Sequence, residues 1–191
     1  MLRSFGKFPT LDVLNNEDLL LGKDYFKQQT FNTGDFILKA GSICKFLYFI
    51  EEGLVYAHAN DENERILWYE PTGSFFTDLE SFYQQVPASA FIKVAEDNTV
   101  LLKISIENLQ HLYKTSHNWA IWGIQFLQHE LVRLTQYYEN LRAKDATQRY
   151  EDFIKEFPDA LNRMPLGHIA SYLGISQVSL SRIRANVQKK K

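Results

Sequence analysis

Three stretches of the chain repeat their apolar residues with three different periods. From about Thr33 to Ser105, the segments "TGDFILKAGS", "KFLYFIEEG", "LVYAHANDENE", "RILWYEPTG", "FIKVAED" and "TVLLKIS" are short runs rich in Phe, Tyr, Ile and Val. Turn residues separate them at Gly34, Gly41, Gly53, Asn60 to Asn63 and Gly73. Turns recurring about every 8 to 12 residues, after a helical opening, predict an antiparallel β-sandwich or jelly roll. No crossover helices lie between these strands, which argues against a parallel sheet.

The second period is helical. Ala120, Ile124, Leu127, Leu131, Leu134, Tyr138 and Leu141 follow one another at spacings of 4, 3, 4, 3, 4 and 3 residues, with no proline or glycine between Ile124 and Leu141. That is the a/d spacing of a helix packed along a seam. Trp119, Trp122 and Phe126 lie off the seam and are expected to pack on the sandwich. Ile124, Leu127, Leu131, Leu134, Tyr138 and Leu141 are then left to meet a twin helix in a parallel homodimer.

From Ala143 the elements become short helices. "DATQRYEDFIKEF" carries Tyr150, Phe153, Ile154 and Phe157 and stops at Pro158. "PLGHIASYL" opens with Pro165, whose missing N–H costs nothing at a helix start. Gly174 then interrupts, Ser176 can cap, and "QVSLSRIRANV" continues with Leu180, Ile183 and Val187 on one face. The expected class is α+β: a sandwich effector domain at 1–115, a dimerisation helix at 116–143 and a helix-turn-helix domain at 144–191.

A helix-turn-helix needs a small residue where its helices approach, a glycine free to take positive φ in the turn, and apolar residues that lock the second helix to the first. Ala170, Gly174 and the set Ile169, Leu173, Ile175, Leu180 and Ile183 supply these. With that face buried, Gln177, Val178, Ser181 and Arg182 must point outward near the start of the second helix, the part that meets base edges in a major groove. Arg182 suits a bidentate contact to guanine, Gln177 to adenine, and Val178 a thymine methyl. Ser176, Ser179, Arg184, Lys189, Lys190 and Lys191 are better placed for phosphates, which add affinity without discrimination. His168 is expected at the surface or the phosphate side, since no second ligand sits at zinc spacing.

Charge sharpens this. Residues 144–191 carry nine Lys or Arg and five Asp or Glu, a net of +4 within an overall −2, and no acidic residue follows Arg163. Such an end becomes a partner signal when it coincides with a docking motif. At 191 residues and 45% hydrophobic the chain can bury one good core plus a satellite. The single cysteine, Cys44, excludes a disulfide or a cysteine-ligated cluster or zinc site within one chain and suits a reducing compartment. No secretory leader or membrane-spanning run is visible, so a cytoplasmic protein is expected.

The order of parts resembles the Crp-Fnr family. "TGDFILKAGSICKFLYFIEEGLV" is similar to its first sandwich strands, "GSFFTDLESFYQQVPASAF" to its ligand cassette, and "PLGHIASYLGISQVSLSRIR" to its winged helix-turn-helix. The resemblance implies a homodimeric transcription regulator that senses an effector, binds palindromic double-stranded DNA and works with RNA polymerase. It places the effector near Gly73, Asp78, Ala88 and Ser89.

The cassette departs from the cyclic-nucleotide pattern. Where that pattern has Gly-Glu-Leu and then Arg-Ser, this chain has Thr77 to Leu79 and Ala88 to Ser89. Asp78 could accept from a ribose hydroxyl and Ser89 donate to a phosphate, but Ala88 cannot neutralise one. An unpaired phosphate in such a pocket costs several kcal/mol. Cyclic AMP is therefore not expected unless Arg65 or Lys93 reaches in from a neighbouring strand, and no cofactor is assigned. Iron–sulfur sensing is disfavoured by the lone cysteine. Val178 stands where the family often has an acidic acceptor for cytosine, so the family's target sequence does not carry over. "ANVQKKK" leaves too little chain for two wing strands after the second helix, so any wing lies before it or is absent. The alternative reading is a ligand-binding module acting on a protein partner. An enzyme is the weakest, since the histidines are scattered and neither HExxH nor a nucleophile elbow occurs.

Overall fold

A computed structural model of the protein describes residues 13–188. Its elements run α1 (Asn16–Lys23), β1 (Lys27–Phe31), β2 (Phe36–Leu38), β3 (Phe46–Glu52), β4 (Leu54–Ala59), β5 (Ile66–Pro71), β6 (Phe75–Phe76), α2 (Leu79–Gln84), β7 (Ala90–Val94) and β8 (Thr99–Ser105). Helices α3 (Ile106–Thr115), α4 (His117–Ala143), α5 (Ala146–Glu156), α6 (Ala160–Arg163), α7 (Leu166–Tyr172) and α8 (Gln177–Gln188) follow.

The strands form two antiparallel sheets, ordered β1-β8-β3-β6 and β2-β7-β4-β5. The sandwich expected from the alternation is therefore present. In β7, Ala90, Ile92 and Val94 are buried and Phe91 and Lys93 take the other face, as the strand period requires. One strand lies outside the run read from the sequence. β1, "KQQTF", is mostly exposed and holds its place through its ladder with β8, from Lys27↔Lys103 to Phe31↔Thr99. An edge strand needs little apolar surface. Between β3 and β4 the chain changes sheets at Gly53, which has φ +111° and lies so close to Thr99 that a Cβ would overlap its hydroxyl. Only glycine fits there.

The main core joins the first sheet to α4. Leu47, Phe49, Phe75, Leu102 and Ile104 pack with Trp119, Trp122 and Phe126. Trp122 meets Phe75 edge-on with centroids 5.0 Å apart and stacks on Phe126 at 5.6 Å. The start of α4 is tied to α1: Ser116 Oγ and Asn118 Nδ2 donate to the Asp18 carboxylate at 2.7 and 2.8 Å, and Trp119 Nε1 donates to the Asp18 carbonyl at 2.9 Å. Further along, Arg133 pairs with Glu70 of β5 at 2.6 Å. Burial pushes the Glu70 carboxyl above the usual carboxylate range, and the Arg133 guanidinium opposes that shift.

A second cluster joins the C-terminal helices to the outer face of the second sheet. Leu54, Ile66 and Tyr69 of β4 and β5 are buried together with Tyr150, Phe153, Met164, Ile169, Ala170, Leu173 and Leu180. Among the described residues no strand follows β8, so the helix pair carries no wing there. α6 occupies the connection before α7. Its Arg163 turns back to the sandwich, donating through Nε and a terminal nitrogen to the two Glu96 oxygens at 2.7 Å each and to the Gly53 carbonyl at 3.2 Å. Such a two-pronged pair is stronger and more directional than a single contact.

Candidate functional site

The turn between α7 and α8 is built as the residue types require. Gly174 has φ +66°, the Ile175 amide donates to the Ala170 carbonyl at 3.0 Å, and Ser176 Oγ accepts from the Ser179 amide at 3.1 Å to cap α8. Ile169, Ala170, Leu173 and Leu180 are fully buried, with Ile175 and Ile183 packed against them. From α5, Arg149 donates to the Leu173 carbonyl at 3.2 Å and to the Lys144 carbonyl at 2.8 Å, which fixes the end of α7.

That packing decides which face of α8 is free. Gln177, Val178, Ser181 and Arg182 are exposed, Val178 by 61%. Ser176 is exposed, while Ser179 and Arg184 are half-buried. Among the described residues Arg184 Nε is buried without a hydrogen-bond partner. Lys189, Lys190 and Lys191 lie outside the described residues. The Gln177 amide lies against Gly167, where a Cβ on the glycine would displace it.

His168 is not where the sequence reading put it. It faces inward, with Nδ1 2.6 Å from the Tyr69 hydroxyl and its ring 5.1 Å from that of Tyr56. Burial lowers its pKa; His58 and Lys93 lower it further, and Glu64 opposes them. Nearby, the Ile66 amide donates to Ser171 Oγ at 2.9 Å. These contacts dock α7 on β4 and β5. Their signal in the sequence was an outer sheet face made of Tyr56, His58 and Tyr69 instead of charges.

The candidate effector residues are dispersed along the sandwich. Asp78 caps α2, accepting from the Ser81 amide at 3.0 Å. Ser81 Oγ in turn donates to the Val86 carbonyl at 2.6 Å and accepts from the Cys44 amide at 2.8 Å. Ala88 is buried, its backbone bonded to residues 41 and 42, while Ser89 is exposed. Gly73 donates to the Ile50 carbonyl in the β5–β6 turn. The side chain of Arg65 is 66% exposed at the β4–β5 hairpin, where it pairs with Asp61 at 2.7 Å. Lys93 lies over the Phe36 ring, 4.6 Å from its centroid, on the outer face of the second sheet. Neither cation reaches into the sandwich. The inner face there is aromatic: Tyr48 stacks on Phe76 at 5.1 Å, with Trp68 5.8 Å from the same ring.

Residues 28–116 match the family model described as Cyclic nucleotide-binding domain. By sequence the chain matches none of the curated proteins. Among solved structures it is similar to a CooA variant from Carboxydothermus hydrogenoformans, with TM-score 0.73 at 19% identity over 96% of this chain and 86% of that one. A crp/fnr-family protein from Eubacterium rectale gives 0.70 at 18% identity over 96% and 88%. The Catabolite Activator Protein of Thermus thermophilus gives 0.60 at 20% identity, again over 96% and 88%.

Proposed function

The chain carries a member of the cyclic nucleotide-binding domain family at residues 28–116 and has the fold of the Crp/Fnr regulators, and from that premise we propose that it is a dimeric, sequence-specific DNA-binding transcription regulator without catalytic activity. The observation that carries this reading is the free face of α8. Gln177, Val178, Ser181 and Arg182 stand outward on a helix locked from behind by Leu180, in a segment with no acidic side chain after Arg163. A major groove accepts a helix of this kind, and its phosphates favour the surrounding charge. The exposed α4 stripe from Ile124 to Leu141 is the surface on which two copies pair, setting two α8 helices on half-sites about 34 Å apart.

In this reading residues 1–115 sense, 116–143 pair and 144–191 bind DNA. The sensor takes an effector other than cyclic AMP, because Ala88 offers no charge to a buried phosphate and Arg65 and Lys93 are engaged elsewhere. The protein works in the cytoplasm, where Cys44 stays reduced. Among the described residues no helix is long and apolar enough to cross a membrane.

Selection of bound sequences from random duplex DNA by the full-length protein tests the proposal. A palindromic motif is expected. Arg182→Ala should weaken the selected site by about 1–3 kcal/mol and relax one base position, while binding to random DNA changes little. Equal losses on both would remove Arg182 from base reading. Enrichment of nothing would favour a module acting on a protein partner.

A further inference from the structure

The contact between α7 and the sandwich contains an ionisable chain of rings that the DNA-binding reading does not use. Phe91 stacks on His58 at 5.0 Å and 12°, Tyr56 follows at 6.1 Å, His168 lies 5.1 Å from Tyr56, and the Tyr69 hydroxyl closes the row on His168 Nδ1. His58 is buried at 3% exposure; its Nδ1 is 3.0 Å from the Ala59 carbonyl, which fixes a proton on that nitrogen. Its Nε2 is buried with no hydrogen-bond partner among the described residues.

We propose that the docking of α7 on β4 and β5 is an acid-sensitive latch, closed while His168 is neutral and released when it takes up a proton. A buried, unpaired charge is costly. A proton on His168 would place its charge in the field of His58 and of Lys93 from β7. The other ionisable groups facing it are Tyr56 of β4, Tyr69 of β5 and Glu64 of the β4–β5 hairpin. Burial keeps both tyrosines protonated, so Glu64 is the one anion among them. The Tyr69 bond itself would survive by reversing its direction, so the cost of protonation is charge burial and not a lost hydrogen bond.

The direction of the effect follows from linkage. Docking holds the His168 pKa below its ordinary value of 6.5. Its contribution to docking is complete above that value and is lost as the pH falls below it. Only the consequence for DNA rests on the preceding reading, because docking itself can be followed without DNA.

Amide hydrogen exchange of the full-length protein, corrected for intrinsic rates, reports the latch through the Ile66 amide, which is covered by Ser171, and through the amides of α7. Opening is expected to rise several-fold between about pH 7.5 and about pH 5.5, with exchange in β3 and β8 unchanged. His168→Asn keeps a polar atom near Tyr69 and cannot titrate in this range. It should flatten the dependence. Wild-type opening that does not change with pH, or a pH dependence retained in His168→Asn, overturns the proposal.

Discussion

The two faces of α4 are drawn from one sequence and meet different fates. Trp119, Trp122 and Phe126 disappear into the sandwich core, whereas Leu131, Leu134 and Tyr138, equally apolar, are left more than half exposed. A helix buried for the sake of its own fold shows one broad stripe. Here there are two, and the second has no partner within the described residues. The difference teaches that the first half of α4 belongs to the fold of one chain, while the second stripe is the surface on which the proposed pairing of two copies depends.

The sharpest way to break this comparison is at the buried face. Trp122→Ala empties a site against Phe75 and Phe126 and should cost about 3–5 kcal/mol of stability, read from a urea transition. Next comes the seam: Leu131→Glu combined with Leu134→Glu should cost at least about 2 kcal/mol of association, so that sedimentation equilibrium gives a monomer while circular dichroism stays native. Loss of the fold in that variant would show that the stripe serves the single chain after all.

The smallest effect is expected where the faces meet. Arg133→Ala leaves Glu70 buried without its cation, at about 1–3 kcal/mol. Because the folded chain raises the Glu70 pKa, that group favours folding below the ordinary carboxylate range and loses its contribution as the pH rises through the raised value. Removing Arg133 widens the loss. The urea midpoint of the variant should therefore fall further below wild type at about pH 7 than at about pH 5.

What could be read from the chain follows from the range of the interactions. The sandwich strands, the apolar stripe of α4 and the α7–α8 turn are set by periods of a few residues and by single positions such as Gly174, so they were legible. β1 was not, since its place depends on pairing with β8 and not on apolar residues of its own. The docking of α7 was not either. Ile66 meets Ser171 across 105 residues and Tyr69 meets His168 across 99, and polar pairs at that separation leave no local pattern. His168 was misplaced for the same reason. Among the candidate sensor residues, Asp78 and Arg65 are occupied by bonds within their own segments, to Ser81 and Asp61, a competition that residue type alone does not disclose.

The cluster that runs from Leu54, Ile66 and Tyr69 to Ile169 and Leu180 makes the helices after α4 an unfinished object when taken alone. Cut away at residue 144 and grafted onto another sandwich, α7 would present Ile169 and Ala170 to a sheet lacking Tyr69, and Arg163 would have no Glu96 to grip. A working chimera would have to carry β4 and β5 along with the helices, so the sandwich and the C-terminal helices are constrained to change in concert.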